Sequence, residues 1–351
     1  MIEMTDKKYD ALLIVSFGGP EGQDDVMPFL ENVLRGKNVP RERMLEVAEH
    51  YKHFGGVSPI NEQNRQLIEA IRSDFESHDL DLPIYWGNRN WHPLLPDALQ
   101  QMKDDGVKRA LAFFTSIYSC YSGCRQYREN IIDAQAAVGD GAPEVHKIRM
   151  SFNHPLYIEA SAARVKEAIA EIPEDRRDRT HFVFTAHSIP MSMAENCRYT
   201  DQLHESCRLI MESVGKQDWK LVYQSRSGPP SQPWLEPDVC DYLEELSSNP
   251  EVQDVIVMPV GFVSDHMEVM FDLDTEAKEV CEKVGLNMVR APSVGTHPDF
   301  VSLVRHLCVE RMENSEKLAI GNLPAWHDVC PQDCCTYTPR RPANVMPASD
   351  Q

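Results

Sequence analysis

The sequence predicts an α/β protein built from two successive doubly wound domains, each on a parallel sheet of about four strands, with a cleft between them. Three observations carry this. Short apolar runs of strand length alternate with segments of helical period along most of the chain. The alternation comes in two sets, so the expected domains are 9–150 and 151–313, followed by a tail, 314–351, although no convincing repeat relates the halves. Finally, the residues that follow the apolar runs are of binding and catalytic types, where ligands of open α/β sheets sit.

In the first set, 11–17 is a continuous apolar run, as for a strand buried on both faces, ending in Gly18-Gly19-Pro20. Glycines there let backbone approach a ligand. GGP is nevertheless not GxGxxG, and Pro20 removes an N–H a phosphate cradle would use, so a dinucleotide reading is weak. Helices are predicted near 24–35, over 41–53 and over 61–75. A basic patch, Arg35-Gly36-Lys37, and a turn, Phe54-Gly55-Gly56-Val57-Ser58-Pro59, separate them. Strand 84–87 ends at Asn88-Arg89-Asn90-Trp91. A helix (96–105), a buried strand (110–115), the loop 118–124 and a helix to about 137 follow.

In the second set, helix 156–172 stops at Pro173, and strand 182–186 delivers His187-Ser188-Ile189-Pro190. Helix 201–214, strand 219–224 running into Ser225-Arg226-Ser227-Gly228-Pro229-Pro230, and helix 237–246 come next. Strand 255–260 leads through Gly261 and Phe262 to a helix capped by Ser264 or Asp265. On it, Met270, Leu273, Ala277, Val280 and Val284 form a core stripe, while Glu268, Asp272 and Glu276 recur at intervals of four on another side. That file suits a cation or proton path; an ordinary solvated acidic face is the blander alternative. Strand 287–290 and helix 297–314 close the pattern.

Composition limits the function classes. The chain has 351 residues, 42% hydrophobic and 26% charged, which is a soluble globular balance. A formal charge of −20 argues against nucleic acid and anionic membranes and is compatible with metal cations. No apolar run is long enough for a bilayer, and MIEMTDKKYDALLIVSF has no secretory features. The expected compartment is the cytoplasm, with the ten cysteines mostly reduced.

His187 at a strand's carboxyl end can exchange protons near neutral pH, and with Glu268 in the same cleft it could strip protons or guide a metal. A structural histidine in a turn is the alternative. A zinc site is the rival, but HExxH is absent. Phe17, Tyr118, Tyr121, Trp234 and Phe262 lie beside strand ends, where a flat aromatic ligand would find walls, though core packing explains most aromatics. Arg35 and Arg89 could pair with ligand carboxylates. Cys330, Cys334 and Cys335 cluster in a polar, Pro-rich tail; such thiols hold Fe–S clusters or zinc, with Cys120 or Cys124 as the internal donor, unless the tail is disordered and its thiols idle.

Ser16-Phe17-Gly18-Gly19-Pro20, Gly55-Gly56-Val57-Ser58-Pro59-Ile60, Thr185-Ala186-His187-Ser188-Ile189-Pro190, Gln224-Ser225-Arg226-Ser227-Gly228-Pro229 with Pro233-Trp234-Leu235, and Gly261 through Glu268 (GFVSDHME) occur in one chain. Together they resemble the ferrochelatases, from about residue 9 to 312. HFGGVSPIN, GNRNW, YSGCRQYREN and QSRSGPP look most like the actinobacterial-type members. The resemblance implies two Rossmann-like, chelatase-type domains without nucleotide, inserting ferrous iron into a porphyrin. By motif, His187 accepts pyrrole protons or contacts the metal, and Glu268 is its acidic partner. Asp272 and Glu276 continue the file along a helix with π-type irregularity in relatives. Phe17, Tyr118, Trp234 and Phe262 belong with the pocket, and Arg35, Ser58 and Arg89 lie near the propionates. Phe17 cannot ligate iron where some relatives carry Tyr or Met. The tail resembles members with a [2Fe–2S] centre, which implies Cys124, Cys330, Cys334 and Cys335 as ligands, with Cys120 still open. Coproporphyrin III is the favoured substrate because RERMLEVAEHYKHFGG offers a charged lip and no hydrophobic snout. Protoporphyrin IX, a non-catalytic tetrapyrrole or iron carrier, and a cobalt or nickel chelatase are the competing readings. Partners implied are the porphyrin, ferrous iron and transient contacts with other haem-pathway enzymes.

Overall fold

The computed structural model describes residues 9–36, 39–229 and 231–337. Lys37 of the basic patch, Pro230 of the QSRSGPP segment, the first eight residues and the tail from 338 onward lie outside the described residues.

Eight strands make two four-stranded sheets. The first holds β1 (Ala11–Ser16), β2 (Ile84–Asn88), β3 (Arg109–Phe114) and β4 (Glu144–Lys147), in the order β2-β1-β3-β4. The second holds β5 (His181–His187), β6 (Trp219–Gln224), β7 (Asp254–Met258) and β8 (Asn287–Arg290), in the order β6-β5-β7-β8. All pairings are parallel. Both sheets therefore repeat one topology, with β1 and β5 in corresponding places. All six residues of β1 and all five of β7 are buried, as central parallel strands covered on both faces require. The fold class agrees with the sequence-based expectation.

The helices are α1 (Val26–Val33), α2 (Arg41–His53), α3 (Ile60–Ser77), α4 (Leu95–Asp104), α5 (Gln126–Val138) and α6 (Pro155–Glu171). Then come α7 (Met191–Ala194), α8 (Tyr199–Val214), α9 (Val239–Leu246), α10 (Met267–Phe271), α11 (Lys278–Val284) and α12 (Pro298–Glu313). Helix α12 packs on both α3 and α6, and one hydrophobic cluster runs from Ile14 and Phe113 through Phe184 to Phe300. The two halves thus share a continuous core. The arginine–carboxylate pair Arg149–Glu310, at 2.7 and 2.9 Å and buried, ties the end of β4 to α12.

Three local expectations need correction. Strand β4 was not foreseen: Glu-Val-His-Lys is short, mostly polar and on a sheet edge, so it carries no apolar run. Helix α10 is capped by His266, whose Nδ1 accepts the Val269 N–H at 3.2 Å, not by Ser264 or Asp265. Between α10 and α11 lies a π-helical turn, Asp272–Ala277. Its extra residue per turn shifts the helical phase, so the buried stripe is Met267, Val269, Leu273, Ala277 and Cys281, while Met270, Val280 and Val284 are only partly covered.

Candidate active site

The carboxyl end of the second sheet brings imidazoles and carboxylates together. His187 is the last residue of β5, paired in register with Gln224 of β6. Its Nδ1 donates to the adjacent Ser188 carbonyl, which leaves Nε2 as an acceptor. The Tyr199 hydroxyl donates to the His187 carbonyl at 3.1 Å and fixes the backbone. Glu268, two residues after the helix cap, places Oε1 3.7 Å from His187 Nε2 and Oε2 3.6 Å from His266 Nε2. Because His266 Nδ1 accepts a backbone N–H, its proton sits on Nε2, facing Glu268. Burial lowers the His266 pKa. The close turn depends on Gly261, where a Cβ would meet the Ala186 Cα at 2.7 Å.

Behind Glu268, the π turn continues the acidic file. Residues four apart stay on one side of the helix through this turn, so Glu268, Asp272 and Glu276 remain a file. Asp272 accepts from the Ser225 hydroxyl and, at 3.2 Å, from Gln224 Nε2. Ser225 does so from a left-handed backbone conformation, φ 61°. Burial, and then repulsion by Glu268 and Glu276, raise the Asp272 pKa to about 7 despite those two donors. Glu276 is exposed, and burial of its carboxyl together with Asp238 and Glu279 raises its pKa as well. A row of carboxylates whose charges oppose one another is relieved by a cation or by protons.

The first sheet contributes different residues to its carboxyl end. The Arg89 guanidinium lies 4.4 Å from the Tyr127 ring centroid and 5.6 Å from that of Phe17, with Nε donating to Asn130 at 2.7 Å. Helix α2 meets the second half where His50 stacks on Phe271, centroids 3.8 Å apart. Gln63 of α3 accepts from the Asp265 N–H at 2.8 Å. Tyr51 lies near enough to Glu268 for the carboxylate to add to the burial that raises its pKa. Trp234 pairs by its backbone with Pro190, beside the His187 loop, and the Phe262 ring lies 4.5 Å from that of His266.

Not every expected wall residue is on the surface. Tyr118 is 1% exposed, and its hydroxyl meets that of Tyr157 at 3.0 Å, which in turn donates to the Val260 carbonyl at 3.0 Å. It belongs to the core joining the halves, so its place in a ligand pocket is withdrawn. Ser58 is 4% exposed, wedged against Gly19, where a Cβ would fall 2.7 Å from the Ser58 Cβ. Arg35 is exposed, in the turn after α1, and bonds Asn32 in the last turn of that helix. The sequence already places Ser225 and the 262–268 turn, His266 included, at these strand ends; Tyr51 and the Gln224 contact with Asp272 had no sequence signal.

The tail builds a second constellation. Arg125 donates to the Gln332 and Cys334 carbonyls at 2.9 and 3.1 Å, and Lys147, at the end of β4, donates to the His327 carbonyl at 3.2 Å. The proximity of Cys330 and burial raise the Cys124 pKa, while Cys124 lowers that of Cys330, with Lys147 and Arg128 further favouring the Cys330 thiolate. The Cys334 and Cys335 sulfurs are 3.6 Å apart. Cys120 instead accepts the Gly123 N–H at 3.1 Å, capping a π turn, Tyr121–Arg125. Four free thiols with the cationic Arg125 and Lys147 nearby are a chemically suitable donor set for an anionic iron–sulfur group.

Comparison with known proteins shows the family. The family model described as Ferrochelatase matches residues 9–312. A protein of Rhodopirellula baltica named Ferrochelatase is 65% identical over 335 residues, covering 95% of each chain. A Streptomyces coelicolor protein named Coproporphyrin III ferrochelatase is 50% identical over 358 aligned positions, again 95% of each. Among solved structures, SirB from Bacillus subtilis with Fe3+ superposes with a TM-score of 0.51 at 12% identity, covering 87% of this chain and 98% of that one, a likeness of fold alone.

Proposed function

This chain belongs to the ferrochelatase family of haem-biosynthesis enzymes, which insert ferrous iron into a porphyrin, and we propose that its porphyrin is coproporphyrin III and its working pair is His187 and Glu268. The carrying observation is the 3.7 Å gap between two acceptors, His187 Nε2 and Glu268 Oε1, at the head of the Asp272–Glu276 file. Insertion replaces two pyrrole N–H protons by one Fe2+. His187 Nε2 takes a proton as the metal enters, and Glu268 takes or relays the other. The acidic file lowers the cost of bringing a divalent cation into the cleft. Phe17 offers no donor atom, so axial ligation of the product iron does not come from that position.

Support for coproporphyrin III comes from the names of the actinobacterial relatives and from the lip. Helix α2 carries exposed Arg43, Glu46, Glu49 and Lys52, a polar rim suited to a tetracarboxylate in water. Among the described residues no helix is long and apolar enough to cross a membrane. Ferrous insertion measured anaerobically with coproporphyrin III and protoporphyrin IX separately tests this: faster turnover of coproporphyrin is expected, and preference for protoporphyrin would overturn the substrate. Binding of both without turnover would instead favour a carrier.

The tail is proposed to hold a [2Fe–2S] cluster on Cys124, Cys330, Cys334 and Cys335, with Cys124 preferred to Cys120 because Cys330 packs against the hydrophobic cluster that holds Cys124, whereas the Cys120 sulfur accepts the Gly123 N–H. Reduced thiols in such a set suit the cytoplasm, the proposed compartment. Fe–S absorption of anaerobically purified protein should vanish in Cys334→Ser. Protein without iron or sulfide would reject the cluster.

A further inference from the structure

We propose that His327 donates a hydrogen bond from Nε2 to the Cys334 sulfur, and so sets the reduction potential of the metal group on the neighbouring thiols and slows its loss. The inference rests on the cluster reading given above. His327 Nε2 lies 3.6 Å from Cys334 Sγ, a fitting separation for N–H···S contact, and the ligand atoms of His327, Cys330 and Cys334 lie within 4.8 Å of one another. The Cys334 and Cys335 sulfurs lie 3.6 Å apart, and Cys330 packs against the hydrophobic cluster that holds Cys124, so four thiols, the number of ligands a [2Fe–2S] group needs, meet here. A nitrogen beyond those four is free to act as a donor to them.

The imidazole is also held in place. Lys147 bonds the His327 carbonyl at 3.2 Å, and the Trp326 ring flanks it with centroids 4.5 Å apart. Lys147 is 7% exposed, so the anchor sits inside the protein. A donor on a ligating sulfur stabilises the reduced, more negative state over the oxidised one and raises the potential. His327 is thus a positioning residue for the thiol site, distant in role from His187.

The test uses the full chain purified anaerobically, with iron and sulfide assays and a dithionite titration followed by electron paramagnetic resonance. His327→Phe keeps a flat ring and removes the donor, so the potential should become more negative and iron should be lost faster in air. His327→Gln keeps an N–H and should restore most of both. An unchanged potential in His327→Phe, or an equal shift in both variants, overturns the proposal. If His327→Phe does not fold, wild type labelled with [15N]histidine decides: a weak nitrogen coupling that changes with the label is expected, and its absence overturns the hydrogen bond. A strong coupling, as from a directly ligating nitrogen, would make His327 a ligand and also overturn it. Wild type lacking iron and sulfide would remove the cluster reading itself, a failure distinct from the others.

Discussion

The two sheets have the same strand order, yet their carboxyl ends differ. At the first, β1, β2 and β3 lead into Phe17, Arg89 and the Tyr118 loop, which are aromatic and cationic. At the second, β5, β6 and β7 lead into His187, Ser225 and the Phe262–Glu268 turn, where an imidazole and a carboxylate stand 3.7 Å apart. One architecture thus supplies two equivalent edges, and the side chains leaving each edge decide its chemistry. In the proposed division of labour, the first edge holds the porphyrin's periphery and the second handles metal and protons. Substitutions at the second edge should then act on turnover, and those at the first on binding.

The largest effect is expected at His187. His187→Ala should reduce ferrous insertion by ~10²–10⁴-fold, the usual worth of a positioned acid–base group, while fluorescence-quenching titration still shows porphyrin binding. Retained turnover would remove His187 from the mechanism. Glu268→Gln keeps the shape but loses the charge. A drop of about 10²-fold in kcat, with porphyrin KM little changed, is expected there. A pure KM effect would mean that the second edge binds rather than reacts.

Arg89 supplies the opposite pattern. Arg89→Ala should raise porphyrin KM about tenfold with kcat nearly intact, as for one charge-assisted hydrogen bond worth ~1.5–3 kcal/mol that is partly replaced by water. A loss of kcat without a change in KM would break the division between edges.

Much of this was legible because parallel strands buried on both faces leave unmistakable apolar runs, and their final residues mark the edge. His187, Arg89 and Glu268 were located that way. What escaped had no local signature. Strand β4 lacks an apolar run, yet it delivers Lys147 to the thiol site. An aromatic after a strand can face cleft or core, and Tyr118 faces the core because Tyr157, from beyond the first sheet, receives its hydroxyl. A π turn is a one-residue surplus in an otherwise helical pattern, so sequence periodicity places Met270 and Val280 where Val269 and Cys281 are buried. The strand and the tyrosine depend on partners distant in sequence, whereas the turn is local and hidden by periodicity itself.

The smallest effect concerns charge stored at the second edge. The Asp272 carboxyl titrates at about 7 in the folded protein against 3.8 ordinarily, so between those values the folded chain binds the proton more readily than the unfolded one. Stability of the metal-free protein from this group therefore rises as pH falls through 7 and levels off below 3.8, by at most ~1.4 kcal/mol per pH unit. Fully buried His154 works the other way. Burial, aided by Arg149 and His306, lowers its pKa from 6.5 to about 3, so acidification across that range costs stability. From 6.5 down to 3.8 the two slopes oppose. Denaturant midpoints at pH 7.5 and pH 5 should consequently fall more on acidification in Asp272→Asn than in wild type. They should fall less in His154→Asn, which keeps an acceptor at the α6 cap. An Asp272→Asn protein with the wild-type slope would mean that the acidic file holds its charge without strain, and the chemical contrast between the edges would then lie in His187 and Glu268 alone.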